Sequence, residues 1–169
     1  MKTWKRVVLV GGTIGLIMGL VVGQARGSQE INDDLYCLSE AIYFEAGNQP
    51  FVGKMAVAEV ILNRVEHITY PNNICDVVHQ GPVRESWKRD GTYYPVRWRC
   101  QFTYWCDGKA DVPLESDTWE QSLSAAYLMI TGNVSVVEGA THYHATYVSP
   151  SWAKNLRKLV TIEDHIFYK

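Results

Sequence analysis

The sequence carries no strong charge of either sign. Its 16 Lys and Arg stand against 18 Asp and Glu, a formal net charge of -2. Nucleic-acid binders usually present a basic face, and this balance points to none. HExxH and CxxC are both absent, so two familiar zinc signatures are missing. No segment repeats at a solenoid period, and no low-complexity tract stands out. The one long uncharged run, Val7–Val22, is short for a helix that must cross a bilayer. What remains is a chain of 169 residues, 47% hydrophobic. That is enough for one core and too apolar for wholesale disorder. The length fits a single domain, 26–169, behind an N-terminal segment, 1–25.

The domain is organised around residues 35–65. Leu35, Leu38, Ala41, Ile42 and Glu45 recur at helical spacing, with Asn32, Asp33 and Asp34 as N-cap candidates. Ala46-Gly47-Asn48-Gln49-Pro50 breaks the pattern. Gly47 suits a left-handed C-terminal position, and Pro50 cannot continue the helix before it. A second helix starts near Phe51, with Met55, Ala58, Ile61, Leu62 and Val65 as its expected inner face. Glu45 therefore falls in the last turn of a largely apolar helix, beside Tyr43 and Phe44. The helix C-terminus is the negative end of the dipole and stabilises no carboxylate. Apolar surroundings and dipole both favour the protonated form, which is what a general acid needs near neutral pH.

Several stretches recur together in one known family. Glu40-Ala-Ile-Tyr-Phe-Glu45-Ala46 is followed by Gly53-Lys-Met-Ala-Val-Ala-Glu-Val-Ile-Leu-Asn-Arg-Val65. Cys100-Gln101-Phe102 with Cys106-Asp107-Gly108, Gly139-Ala-Thr-His-Tyr-His144 and His165-Ile-Phe-Tyr168 come after. In these the chain resembles the SleB-type cell-wall hydrolases, named for spore-cortex-lytic enzymes, over nearly everything after Asp34. The resemblance implies a lysozyme-like fold, α+β and mostly helical with a small antiparallel sheet. It implies cleavage of peptidoglycan glycan strands by lytic transglycosylation, without metal or other cofactor, with Glu45 as the catalytic acid. One departure is visible. Where the family usually reads Glu-Ala-Arg-Gly-Glu-Pro, this chain has Gly47, Asn48 and Gln49 between Ala46 and Pro50.

The N-terminus reads as an export signal. Lys2, Lys5 and Arg6 precede the uncharged run, and Gly23-Gln24-Ala25 offers a small-x-small cleavage site. The run is rich in glycine and only weakly apolar, so an uncleaved anchor able to leave the membrane, as in some phage lysins, is the second reading. An exported enzyme in the periplasm or cell envelope is expected, touching membrane only through this segment. Its partner would be peptidoglycan glycan strands, and it would act as a monomer. The even set Cys37, Cys75, Cys100 and Cys106 agrees with an oxidising compartment. Three pairings are open. We favour Cys37–Cys75, bracing the Glu45 helix, with Cys100–Cys106 closing a short loop.

Residues 81–99 read as an irregular surface excursion. Trp87, Tyr93, Tyr94 and Trp98 lie there among Arg84, Lys88, Arg89, Arg97 and Arg99. Aromatic faces stack on pyranose rings and cations meet carboxylates, so the stretch suits a sugar-binding wall. A short helix is expected at 74–79 and a longer one over 118–130, with Leu123, Ala126, Tyr127 and Ile130 inward. Strands are expected at 141–145, 159–162 and 165–168. On a strand, His142 and His144 share a face. They line a cleft or, with His79 or His165 as a third ligand, hold zinc.

The expected reaction breaks the MurNAc–GlcNAc β-1,4 bond with one carboxylate. Gln101, Tyr104, Trp98, His142, Tyr143 and His144 are the candidates to bind substrate. Glu40 lies about 140° round the helix from Glu45 and faces elsewhere. Three alternatives stand beside this reading. A hydrolytic muramidase would need a second Asp or Glu across the bond. A zinc amidase cutting MurNAc–L-Ala would need the His pair and a third ligand. A non-catalytic glycan-binding module would have no use for an acid at 45.

Overall fold

The two helices of the central stretch form where the spacing places them. In the computed structural model, which describes residues 32–169, α1 runs over 32–46 and α2 over Phe51–Glu66. Residues 1–25, with the export reading, lie outside the described residues. Asn32, Asp33 and Asp34 stand inside α1 rather than capping it. Gly47 is needed for a different reason than expected. It is not among the glycines with left-handed φ, which are Gly91, Gly108 and Gly139. A Cβ at 47 would instead stand 2.5 Å from the Tyr43 carbonyl oxygen. Two carbonyls of the turn that follows α1 are met by a buried cation. Lys54 Nζ donates to the oxygens of Gly47 at 2.8 Å and Gln49 at 2.6 Å.

The expected single inner face of α2 gives way to burial nearly all round from Gly53 to Ile61. The reason is packing: α3 (Ile74–Val78), α4 (Ser116–Thr131) and β3 (His142–Ala145) all contact it. Even Glu59 is buried. It accepts hydrogen bonds from Ser135 Oγ at 2.6 Å and the Val137 amide at 2.7 Å, bracing the loop that leads into β3. Helix α4 forms as expected but turned by about 100°. Ser122, Ala125, Ala126 and Met129 are buried, whereas Leu123 and Tyr127 are exposed.

Residues 81–99 are less irregular than their composition suggests. Val83–Glu85 (β1) and Tyr93–Pro95 (β2) pair as an antiparallel hairpin, Arg84 opposite Tyr94. After β3 come β4 (Lys158–Ile162) and β5 (His165–Tyr168), in the antiparallel order β3-β5-β4. This register sets Tyr143 opposite Phe167 and Ala145 opposite His165. Both disulfides pair as favoured: Cys37–Cys75 ties α1 to α3, and Cys100–Cys106 closes the short loop. No helix among the described residues is long and apolar enough to cross a membrane.

Candidate active site

Glu45, in the last turn of α1, is half-buried at the edge of a cavity of about 490 Å³. Strand β3 supplies the facing wall. There Tyr143 OH donates to Glu45 Oε2 at 3.0 Å. Burial pushes the Glu45 carboxyl above its ordinary range, and the Tyr143 hydrogen bond and the Arg64 charge partly pull it back. The direction is the one the apolar helix predicts. The two opposing groups come from elements distant in sequence.

Arg64 lines the same cavity, and in the sequence nothing distinguishes it beyond its place in Asn63-Arg64. It is 6% exposed, in the last turn of α2. Its Nε donates to the Thr141 carbonyl at 2.8 Å, just before β3. Its Cζ lies 5.4 Å from the ring centroids of both Tyr70 and Phe102. The guanidinium is thus held between two aromatic faces and a carbonyl, with no ion pair among the described residues.

His142 and His144 both line the cavity, and so does Tyr143 between them, so strand alternation alone does not decide which residues of β3 reach it. His144 Nε2 is 2.9 Å from Tyr168 OH, and His142 Nδ1 is 2.9 Å from Thr141 Oγ1. Burial first, then the Arg64 charge, lowers the His142 pKa. Burial likewise lowers that of His165, another lining residue. Trp152, from the short 3-10 helix Ser151–Asn155, packs against both strand histidines, with centroids at 5.3 and 5.5 Å. No local sequence pattern marks it, because only the return of the chain after β3 brings it there. Among the described residues no group of three or more His, Cys, Asp and Glu could share a metal ion. His79 lies elsewhere, stacked on Trp105 at 3.7 Å.

The other candidates divide. Gln101 lines the cavity. Tyr104 does not: it is buried, stacked on Phe44 at 4.6 Å, and its OH reaches Glu40 Oε2 at 3.4 Å. Glu40 does not line the cavity with Glu45; it is buried, and desolvation and nearby Asp111 hold its carboxyl above the usual range. Trp98 is 62% exposed and outside the cavity, as are Trp87, Tyr93 and Tyr94 of the hairpin. Among the described residues, Glu45 is the one carboxylate that lines the cavity.

The Cell Wall Hydrolase family pattern matches residues 48–168. The chain belongs to that family. Glu45 stands three residues ahead of the matched segment. Over 63 residues, 37% of its length, the chain is 38% identical to the spore cortex-lytic enzyme of Halalkalibacterium halodurans and 36% identical to that of Bacillus subtilis. These matches span 19% and 20% of the relatives, so the chain covers about a fifth of their length. The catalytic domain of the Bacillus cereus SleB protein superposes with a TM-score of 0.56 at 23% identity, covering 82% of this chain and 91% of that one. The catalytic domain of the germination-specific lytic transglycosylase SleB from Bacillus anthracis gives 0.56 at 24%, covering 80% and 93%. The lysozyme-like, mostly helical α+β expectation is therefore borne out. The departure at Gln49 also has a local explanation. Gln49 is buried and its Nε2 donates to Asp164 Oδ2 at 3.1 Å, a bond that an ionised glutamate could not make.

Proposed function

We propose that this cell wall hydrolase degrades peptidoglycan by cleaving the MurNAc–GlcNAc β-1,4 bond as a lytic transglycosylase. The observation that carries the reading is the single carboxylate in the cavity. A hydrolytic muramidase normally sets two carboxyl groups across the scissile bond. Here Glu45 has no such partner among the described lining residues.

In the proposed reaction the protonated Glu45 gives its proton to the glycosidic oxygen as the C1–O bond breaks and oxocarbenium character develops. The GlcNAc leaves with that proton. The Glu45 carboxylate then takes the proton of the muramyl C6 hydroxyl, whose oxygen closes on C1. The product is a 1,6-anhydro end, the acid is restored and no water is consumed. Tyr143 holds the carboxyl by its hydrogen bond, and the buried Arg64 charge favours the transient carboxylate. His142, His144, Gln101 and Trp152 offer hydrogen-bonding and ring surfaces to the sugar. The names of the relatives support a wall substrate. Export through residues 1–25, action in the periplasm or envelope, and a monomeric state belong to the same proposal.

Mass spectrometry of digested wall tests it. Anhydro-muramyl ends support the transglycosylase. Reducing muramyl ends would make the enzyme a muramidase, and freed stem peptides would make it an amidase.

A further inference from the structure

A second hollow lies between the β1–β2 hairpin and the loop closed by Cys100–Cys106. Its volume is about 250 Å³, and Arg84, Tyr94, Arg97, Trp105 and Gly108 line it. None of its lining residues is an acid, and none lines the Glu45 cavity. The segment 81–99 carries five cations, Arg84, Lys88, Arg89, Arg97 and Arg99, against Glu85 and Asp90. That is a local excess of three positive charges in a chain of net -2. Neither Arg84 nor Arg97 has an ion-pair partner among the described residues.

The hollow is also shaped. Gly108 has a φ of +82° and leaves room for a guanidinium: a Cβ there would collide with Arg97. Trp105 is held flat against His79. Pairing between the strands sets Tyr94 beside Arg84. Two unpaired guanidinium groups with two aromatic rings and no acid suit one ligand chemistry. The rings cover the apolar face of a pyranose, and the planar forks take a carboxylate or phosphate through two parallel N–H donors.

We propose that this hollow is a non-catalytic binding site for a negatively charged saccharide unit of the wall, a pyranose bearing a carboxylate or a phosphate, and that it anchors the enzyme on its polymer. The choice of a wall ligand rests on the peptidoglycan reading above; the chemistry of the site does not.

The test measures binding by the Glu45→Gln chain with and without Arg84→Gln and Arg97→Gln. Three probes are used: peptide-stripped glycan oligomers with free lactyl carboxylates, a poly(glycerol phosphate), and neutral chitotetraose. At least one anionic probe should bind in a salt-sensitive way, and the double arginine change should weaken it about tenfold or more. The anionic probe that binds identifies the source of the charge. In the active enzyme the double change should slow cleavage of intact wall and spare cleavage of short soluble glycan. Undiminished anionic binding by the double variant overturns the proposal, as does equal loss on both substrates at unchanged melting temperature. If the products proved hydrolytic, the function above would be wrong while the binding result stood.

Discussion

Replacing Glu45 with Gln removes the transferable acidic proton and nearly keeps the shape of the side chain. Gln keeps an oxygen to accept from Tyr143 OH, so the 3.0 Å contact between α1 and β3 has a replacement. It cannot donate to a leaving oxygen as an acid. Loss of general acid catalysis costs a factor of about 100 to 10,000, or roughly 3 to 5 kcal/mol of barrier. The upper end is expected, because no other carboxylate among the described residues lines the cavity to substitute. Stability should move the other way. Burial raises the folded-state pKa of Glu45 above its unfolded value. The folded protein then holds a proton that the unfolded chain releases, so this group's contribution falls as pH rises from the unfolded pKa through the folded one. Gln has no such loss. The Glu45→Gln protein should therefore match the parent in melting temperature in acid and equal or exceed it at neutral pH. Release of soluble fragments from purified wall gives the rate, and melting scans across pH give the stability. Wall cleavage within about tenfold of the parent would refute Glu45 as the acid.

Arg64→Met should raise the Glu45 pKa further, moving the high-pH limb of activity upward, because the acid is used protonated; Arg64→Lys keeps the charge and should leave the limb near that of the parent. A pH–rate profile of all three proteins checks this, and an unmoved limb would leave Arg64 a packing role. N-terminal sequencing of protein recovered outside the cytoplasm should begin at or near Arg26, whereas full-length protein held in the membrane would favour the anchor. Peptide mapping without reduction should recover Cys37–Cys75 and Cys100–Cys106 as pairs. Opening Cys37–Cys75 alone should cost on the order of 2–4 kcal/mol and reduce activity more than opening Cys100–Cys106, since it braces the helix carrying Glu45.

The spacing of apolar residues was sufficient to place α1 and α2, the break between them, and Glu45 in the last turn. These are local properties: a 3.6-residue period and a proline act within a few residues of themselves. The strand period likewise put His142 and His144 on one face, and His142-Tyr143-His144 does meet Glu45 at the cavity. Which face of a helix is inside is another matter, because it depends on what packs against it. Helix α2 is covered on several sides, so its expected stripe dissolved. Helix α4 carries two apolar stripes about one residue apart, and contact with α2 selected the one through Ala125 and Met129. The same limit explains the site. Arg64 is a common residue near the end of a helix until Thr141, Tyr70 and Phe102 close around it. Tyr104 looked available until Phe44 covered it and Glu40 took its hydroxyl. Sequence periodicity determined where the acid would sit along its helix. Only tertiary packing decided which cation, which tyrosine and how much burial would surround it, because burial and nearby charge are supplied by residues far apart in the chain.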